Sequence, residues 1–216
     1  MTSQRLRGKV MEDIGGEPMV LRIVRRLDRC KEIDEVVVAC TDKSTDDPIS
    51  ALMWSRGVRV VRGPEHDVLS RYVLAVKETS AERCVRATAD CPYIEPEVTD
   101  RVIRSLRPGI DLASNAIGPR TYPKGLDTEV FWADVILRLD RMVTTPAGRE
   151  HVLWGAYRDD SARWFRSFNV RDSQDNSHVN LCVDTQEDLD FIRMIHSRFG
   201  DANYRDIVAG LQEMAA

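Results

Sequence analysis

The sequence predicts an α/β fold, in which a mostly parallel sheet is covered by helices on both of its faces. Short apolar runs rich in β-branched residues alternate with helix-period segments over the first half of the chain. Most of these runs lack regular polar positions, which is typical of strands buried on both faces of a sheet. The 216 residues contain no internal repeat, low-complexity tract or linker, so we expect a single domain spanning 1–216.

The elements of the first half follow from their apolar spacing and their capping residues. Met19, Ile23 and Leu27 share one face of the first predicted helix. Asp47 can cap the next helix, with Pro48 at its first position. In order, we predict a helix over Pro18–Cys30, a strand over Glu35–Thr41, a helix from Asp47, a strand over Val58–Val61, a helix over Asp67–Lys77, a strand over Arg83–Ala89 and a helix over Pro96–Leu106.

The strict alternation breaks in the second half, where two pairs of strand-like runs are each joined by a polar or Pro/Gly-containing loop. We therefore expect an antiparallel excursion of the sheet here. A capping box of Thr185 and Asp188 marks the first of two closing helices. The predicted elements are strands over Asp111–Ile117, Thr128–Ala133, Trp164–Arg171 and Asn180–Thr185, then helices over Gln186–Phe199 and Tyr204–Met214.

Composition excludes several classes of protein. The chain has 31 Lys and Arg against 35 Asp and Glu, a formal net charge of −4, which argues against binding to nucleic acid or to an anionic membrane surface. No apolar run approaches the roughly 20 residues needed to cross a bilayer, and the N-terminal stretch MTSQRLRGKV lacks the apolar core of a signal peptide. We therefore expect a cytoplasmic protein that binds neither nucleic acid nor membranes.

The five cysteines are odd in number and scattered, with no C-x-x-C pair. A disulfide framework or a structural zinc site would need a tighter pattern, and a reducing compartment is the simplest environment. Cys40, Cys84 and Cys182 lie in apolar runs, where the sequence predicts small buried hydrophobic side chains.

Three polar motifs are candidates for chemistry. RLRGK (Arg5–Lys9) places a glycine among cations, so backbone N–H groups can approach a phosphate while the side chains neutralise it. ADCP follows a strand, and its Asp90 is well placed for Mg²⁺, which binds through one or two carboxylates plus substrate phosphates. In VDTQEDL, helix capping explains Thr185 and Asp188 but not Asp184. Taken singly, these motifs also fit a solvated tail, a turn and a helix cap.

In this order, and with further blocks between them, the motifs resemble the cytidylyltransferase family of spore coat polysaccharide biosynthesis protein F. More distantly, the chain is similar to the enzymes that make CMP-activated sugar acids such as CMP-Kdo and CMP-sialic acid. The resemblance runs almost end to end. The matching blocks are MTSQRLRGKV, DIGGEPM, VVVACTDKSTDDPI, VVRGPEHDVLSRY, RATADCPYIEP, ASNAIGPRTYPKGLDTEVF and REHV.

The chain departs from the family pattern at its start. Arg7 stands where the family has proline and Ala89 where it has glycine. The sequence begins inside the family's phosphate-binding motif, so the resemblance implies that the family's first strand and its Q-A-R arginine are missing. We expect either a true start further upstream or a weakened relative. Because that strand and arginine are missing, we expect the 216-residue form to bind CTP weakly and to turn over slowly.

The resemblance implies a Rossmann-like, GT-A-like nucleotidyltransferase fold and a reaction that transfers CMP from CTP to an anionic acceptor, with release of pyrophosphate. It implies that nucleotide binds in about 1–110 and the acceptor in about 111–185, with closing helices over about 186–216. The implied triphosphate-holding, catalytic residues are Arg5 and Lys9; the nucleotide-binding residues are Ser3, Gly8, Thr41, Asp67, Arg71 and Thr88; the Mg²⁺ ligands are Asp90 and Asp184; and the acceptor-binding residues are Arg120, Tyr122, Gly125, Asp127, Glu129, Arg149, Glu150 and His151.

The acceptor stays open among a sugar acid, a sugar or polyol phosphate and a phosphonate, in surface polysaccharide or related biosynthesis. Four alternatives also stay open: a nucleotidyltransferase for another base, a truncated and weakly active relative, a non-catalytic nucleotide-binding relative, and a GT-A-like glycosyltransferase. The long L-x-G-G-x-G-x-R-L loop of hexose-1-phosphate nucleotidyltransferases is absent from the sequence. A glycosyltransferase would show a D-x-D metal motif, whereas the segment A-D-C places a single aspartate, Asp90.

The resemblance and one apolar run suggest a homodimer. Val130, Phe131 and Trp132 are adjacent apolar residues in a predicted strand, so at least one must point away from the local core. The more distant CMP-sugar synthetases dimerise through this hairpin, so we expect a homodimer formed around Thr128–Ala133.

Overall fold

The computed structural model describes residues 6–158 and 160–215 and contains the succession of strands and helices predicted for the first half of the chain. In the second half, three helices between residues 133 and 157 are not predicted from the sequence. The strands are β1 (Asp13–Ile14), β2 (Glu17–Pro18), β3 (Val37–Thr41), β4 (Arg59–Gly63), β5 (Arg83–Arg86), β6 (Leu112–Ser114), β7 (Glu129–Trp132) and β8 (Ser167–Asn169). The helices are α1 (Met19–Leu27), α2 (Asp47–Ser55), α3 (Val68–Thr79), α4 (Pro96–Ser105), α5 (Ala133–Met142), α6 (Pro146–Glu150), α7 (Trp154–Tyr157), α8 (Gln186–Phe199) and α9 (Tyr204–Ala215). Short 3₁₀ turns lie at Lys9–Met11, Ser44–Asp46 and Asp160–Trp164.

The strand pairing is mixed, and this corrects the expectation of a mostly parallel sheet. Strands β3 and β4 pair in parallel, as do β6 and β8. Strand β7 lies between β5 and β6 and is antiparallel to both. The chain returns from β6 to β7 through a loop with no crossover helix, and such a return makes neighbouring strands antiparallel. The antiparallel excursion predicted for the second half is therefore confirmed.

Helices cover both faces of the four-stranded sheet, as predicted. Val130 of β7 packs in a cluster with Val102 and Ile103 of α4. The next residue, Phe131, points to the other face and packs in a cluster with residues of α3 and α5, among them Leu69 and Leu139. Since both Val130 and Phe131 are fully buried within the chain, they no longer supply the sequence argument for a dimer, which stays a prediction.

A further core cluster joins α1, α8 and α9 and contains two buried arginines at its edge. Arg22 pairs with Asp201 at 2.7 Å and Arg26 pairs with Glu95 at 3.2 Å. Both guanidinium groups lie over the ring of Tyr93. These contacts fix α1 to the turn between α8 and α9 and to the segment before α4, because a buried charge without a partner would carry a large desolvation penalty.

Two local expectations need correction. The segment Asn180–Thr185 forms a single bridge to Lys124 instead of a strand, because its backbone partners are loop residues at Lys124 and Asp90. Helix α2 begins at Asp47, the residue expected to cap it, and the capping position is Asp46. The predicted capping box at the start of α8 is confirmed. Within the described residues, no helix combines the length and apolar character required to span a membrane.

Candidate functional site

A cavity of about 260 Å³ runs along β3, with Val38–Thr41 in its wall, and reaches the carboxyl end of that strand, the edge at which ligands bind in α/β sheets. Gly8, Lys9, Thr41 and Arg71 line it, four residues that the sequence assigned to nucleotide or triphosphate. Gly8 has φ of +71°, a conformation that glycine adopts without strain, and it leads directly into the 3₁₀ turn that carries Lys9. The structure therefore brings the glycine and lysine of the basic motif to the cavity.

Two of these lining residues have distinct partners. The Thr41 hydroxyl and backbone N–H both donate to Asp46, at 2.7 and 2.9 Å, so the end of β3 is held against the start of α2. The Arg71 side chain packs on Gly63. Its Nε is buried and donates to no acceptor among the described residues, which leaves a donor at the cavity wall. Arg71 is thus the better candidate for a direct ligand contact.

At the cavity wall, the Lys9 ammonium joins the carboxylates of Asp90 and Asp184. It donates to Asp90 Oδ2 at 3.2 Å, to Asp184 Oδ1 at 3.1 Å and to the Val183 carbonyl at 2.7 Å. Thr88 donates to the other Asp90 oxygen at 2.6 Å. Asp90 and Asp184 therefore lie close together with the Lys9 ammonium between them, and their joint binding of Mg²⁺ stays a prediction.

The local charges keep both carboxylates ionised. Burial alone would raise the pKa of the Asp90 carboxyl, but the Thr88 hydroxyl and the Lys9 ammonium hold that pKa below its usual value. The Asp184 carboxyl is similar: burial would raise its pKa, but Lys9 and Lys124 lower it overall. The same contacts raise the pKa of Lys9 despite the opposing effect of burial, so the cluster is fully charged at neutral pH.

The loop around Gly125 brings a further cation to this cluster. Gly125 has φ of +100°, and a Cβ there would lie 2.6 Å from the Leu181 carbonyl carbon, so the two backbones pass in close contact. Leu181 N–H donates to the Lys124 carbonyl at 2.7 Å. As a result, the Lys124 ammonium reaches Asp184 Oδ2 at 3.3 Å. Gly125 therefore acts through backbone packing.

Arg120 and Asp127 form a doubly hydrogen-bonded pair on the same loop. Both side chains are partly exposed, at 27% and 30%. The Arg120 guanidinium also interacts electrostatically with Cys91 and Cys182, next to Asp90. Burial lowers the pKa of Arg120, but Asp127 and these two cysteines raise it overall. The pair lies beside the carboxylate cluster and is accessible to a small ligand.

Tyr122 and Glu129, two more predicted acceptor residues, are buried. Tyr122 is 1% exposed, packs edge-on against Tyr204, and its hydroxyl accepts from Arg101. Glu129 pairs with Arg86 across the β5–β7 ladder and accepts from the Tyr157 hydroxyl. These contacts give both residues structural roles and do not bring them to the cavity.

The predicted residues of the REHV block also lie elsewhere. Arg149 Nε donates to Asp67 Oδ2 at 2.8 Å, so a predicted acceptor residue pairs with a predicted nucleotide residue. Asp67 also caps α3 by accepting from the Ser70 N–H. Glu150 and His151 are exposed at the end of α6, where His151 stacks on Trp154. Asp67 and Arg149 thus connect α3 to the segment around α6.

Two predicted residues, Ser3 and Arg5, lie outside the described residues. Sequence reasoning misses three residues that the structure brings to the site. Lys124 lies inside a matching block, but the motif alone indicates no role for it. Asp46 and Glu65 line the cavity, and no spacing signal distinguishes them from solvated or capping acids.

Comparison with known proteins gives a consistent result. A model of the family described as cytidylyltransferase matches residues 1–210. The spore coat polysaccharide biosynthesis protein SpsF of Bacillus subtilis is 27% identical over 206 residues, covering 93% of this chain and 85% of that protein. The 3-deoxy-manno-octulosonate cytidylyltransferase of Paramagnetospirillum magneticum is 30% identical over 186 residues, covering 77% and 74%.

Solved structures are similar over the whole fold. A cytidylyltransferase from Leptospira borgpetersenii superimposes with a TM-score of 0.93 at 28% identity, covering all of this chain and 91% of that one. A CMP:2-keto-3-deoxy-manno-octonic acid synthetase complexed with CTP gives a TM-score of 0.65 at 19% identity, covering 91% and 94%. The second likeness concerns the fold alone.

Proposed function

The chain belongs to the cytidylyltransferase family, and from that premise we propose that it transfers CMP from CTP to an anionic, hydroxylated sugar-like acceptor with release of pyrophosphate. As a member of this family it is a CTP-dependent nucleotidyltransferase. The observation that carries the proposal is the Lys9 ammonium held between Asp90 and Asp184 beside the cavity. Phosphoryl transfer depends mainly on positioning and on neutralising the charge that spreads over the phosphate oxygens, and this cluster offers both.

On the nucleotide side, we assign the triphosphate to the Gly8–Lys9 turn. Lys9 would exchange part of its contact with the carboxylates for phosphate oxygens, and the backbone at Gly8 allows their close approach. Arg71 Nε, which has no acceptor among the described residues, would donate to the nucleotide from the cavity wall. The acceptor oxygen would then attack the α-phosphorus in line with the leaving pyrophosphate.

The donor set fits Mg²⁺. Asp90 and Asp184 together hold a positive charge at one point, and carboxylate oxygens with substrate phosphates are the ligands that Mg²⁺ prefers. We assign these two residues as its ligands. Held by these residues, the ion would neutralise negative charge on the phosphate.

We place the acceptor at Arg120, Lys124 and Asp127. Arg120 and Lys124 would bind a carboxylate, phosphate or phosphonate, and Asp127 would accept from acceptor hydroxyls. These side chains are partly exposed beside Asp184 and the thiols next to Asp90, whereas Tyr122 and Glu129 are buried. The residues that we assign to acceptor binding are therefore fewer than those that the resemblance implied.

The test measures pyrophosphate release from CTP, UTP, ATP and GTP with Mg²⁺ and a panel of sugar acids, polyol phosphates and phosphonates. We expect CTP to be preferred. The variants Asp90→Asn and Asp184→Asn should lose turnover while remaining folded, and Asp134→Asn, whose side chain is 65% exposed on α5, should not. Preference for another nucleotide, or normal turnover of either site variant, would contradict the assignment. A thermal shift with CTP but no turnover on any acceptor would indicate a non-catalytic relative.

A further inference from the structure

The two oxygens of Asp90 face different surroundings. Oδ2 contacts the Lys9 ammonium, as described above. Oδ1 faces the Thr88 hydroxyl at 2.6 Å and the Cys91 thiol at 3.5 Å. The side of the carboxylate that faces away from Lys9 is therefore lined by a hydroxyl and a sulfur.

A second thiol completes this side. The Cys182 sulfur, the Cys91 sulfur and an Asp90 oxygen all lie within 4.8 Å of one another. The Val183 N–H donates to the Asp90 carbonyl at 2.8 Å, and the Cys182 N–H donates to Asn180 Oδ1 at 3.0 Å, so backbone hydrogen bonds fix the two cysteine segments side by side. Both sulfurs are shielded, with Cys91 1% and Cys182 6% exposed.

The distance between the Cys91 sulfur and Asp90 Oδ1 suits tetrahedral coordination. Metal–sulfur bonds of about 2.3 Å and metal–oxygen bonds of about 2.0 Å give sulfur–oxygen edges of about 3.5 Å around a tetrahedral Zn²⁺. The Cys91 sulfur lies 3.5 Å from Asp90 Oδ1 and 3.3 Å from Thr88 Oγ1. Two sulfurs and one carboxylate oxygen form a soft ligand set that favours zinc-like ions over magnesium.

The surroundings balance the charge of such a complex. Two thiolates, one carboxylate and a divalent cation carry a net charge of −1. Lys9 contacts the Asp90 carboxylate, the charge of Arg120 interacts with both cysteines, and the charge of Lys124 interacts with Cys182. A negatively charged complex is therefore stabilised by nearby cations.

We propose that Asp90, Cys91 and Cys182 form a binding site for a thiophilic divalent cation such as Zn²⁺, distinct from the oxygen-ligand site between Asp90 and Asp184. Because Asp90 belongs to both sites, an ion bound to the sulfurs draws on the same carboxylate as the proposed catalytic centre and inhibits it. The site itself goes beyond the proposed function and does not depend on it, since the ion can be detected in the absence of nucleotide.

The experiment titrates the reduced full chain with Co²⁺, which reports thiolate ligands by charge-transfer absorption and tetrahedral geometry by its visible bands. We expect both signals to saturate at one equivalent and to be displaced by Zn²⁺. Cys91→Ser and Cys182→Ser should remove the charge-transfer band or weaken Co²⁺ binding at least about tenfold. Cys84→Ser, in β5, is the matched control and should retain both signals. Circular dichroism checks that each variant is folded.

Two further measurements distinguish this site from the catalytic centre. Asp184→Asn should keep the charge-transfer band, and Asp90→Asn should weaken Co²⁺ binding. Zn²⁺ should also inhibit the wild-type chain at a concentration at least about tenfold lower than it inhibits Cys182→Ser. The proposal is overturned if the wild-type chain shows no thiolate band, or if a folded Cys182→Ser variant binds Co²⁺ as the wild type does. A Co²⁺ signal that depends on Asp184 and not on either cysteine would overturn it as well, leaving only the oxygen-ligand site.

Discussion

Lys9 and Asp184 lie 175 positions apart in the chain, and the Lys9 ammonium donates a hydrogen bond to Asp184 Oδ1 at 3.1 Å. The same ammonium contacts Asp90, so residues from three distant parts of the sequence form one charged cluster. Without Lys9, the two carboxylates would face each other across a partly buried space and would lose the one cation that contacts both of them among the described residues. The cluster therefore depends on all three side chains.

From this we predict that Lys9→Met lowers turnover by about 10²–10³-fold, the effect of removing one charge-stabilising donor from an active site. The measurement is steady-state pyrophosphate release with CTP. Lys77→Met, on the exposed face of α3, is the matched control and should leave the rate unchanged. A rate within about threefold of wild type, about 0.7 kcal/mol in activation free energy, would remove Lys9 from the proposed mechanism.

The second prediction concerns the pair formed by Arg149 and Asp67. Arg149 donates to Asp67, to the Asp140 carboxylate and to the Asp140 and Val143 carbonyls. Since these bonds are charge-assisted and partly shielded, Arg149→Met should lower the free energy of unfolding by about 2 kcal/mol. A double-mutant cycle with Asp67→Asn should give a coupling of about 1 kcal/mol.

Urea denaturation measures both effects, with Arg141→Met on the exposed part of α5 as the control. We expect the KM of Arg149→Met for CTP and for the acceptor to change little. If Arg149→Met left the free energy of unfolding unchanged while KM rose about tenfold, or about 1.4 kcal/mol, the result would instead support the ligand-binding role that the resemblance implies.

Local signals such as capping residues and prolines predict well where helices begin, because these residues determine the start of a helix. Helix α8 begins at the predicted residue because Thr185 and Asp188 cap it, and α4 begins at Pro96 as expected. Asn180–Thr185 looks like a strand but forms only one bridge among the described residues, because its partners are loops that no local pattern reveals.

The residues of the candidate site also differ in whether the sequence alone indicates a role for them. Lys9, Asp90 and Asp184 can be identified from the sequence because they end or follow recognisable motifs. The sequence predicts Cys182 only as a small buried side chain and indicates no role for Cys91, since only the fold brings the two sulfurs together. Tyr122 lies in a matching block but packs in the core, and a motif cannot distinguish a residue that supports a site from one that touches a ligand.

The third prediction is a pH dependence at Asp201. Hydrogen bonding from Arg25 lowers the pKa of Asp201 to about 2, with further lowering by Arg22. A folded-state pKa below the unfolded value of 3.8 stabilises the protein above about pH 4, and this stabilisation is lost as pH falls through about 2. The shift corresponds to about 2.4 kcal/mol by linkage; because the side chain is 39% exposed, solvent screening reduces it to about 1 kcal/mol.

Asp201→Asn should therefore lower the free energy of unfolding by about 1 kcal/mol at pH 7, and the difference from wild type should shrink as pH falls from about 4 to about 2. Urea titrations across this range measure it, with Asp134→Asn as the exposed control. A difference that stays the same from neutral pH down to about pH 2.5 would show that the charge of Asp201 is not what stabilises the buried arginine.

The last prediction separates backbone strain from close packing by comparing two glycines with similar values of φ. Gly16 has φ of +90°, and a Cβ added there would have no described atom within 4 Å, whereas a Cβ on Gly125, at φ of +100°, would lie 2.6 Å from the Leu181 carbonyl carbon. Gly16→Ala should cost only the strain of a positive φ, about 1–2 kcal/mol. Gly125→Ala adds the displacement of the Leu181–Cys182 backbone, a further cost of about 1–3 kcal/mol.

That displacement would also move Lys124 away from Asp184, so we expect Gly125→Ala to lower turnover at least about tenfold, since a misplacement of about 1 Å near a reacting centre can cost more than that. Gly16→Ala should keep its turnover once measured below its unfolding transition. Chemical denaturation and initial rates on the two variants make the comparison. Equal losses of stability with normal turnover in both would mean that the two loops are not held in contact as the structure describes, because only contact with Leu181 distinguishes Gly125 from Gly16.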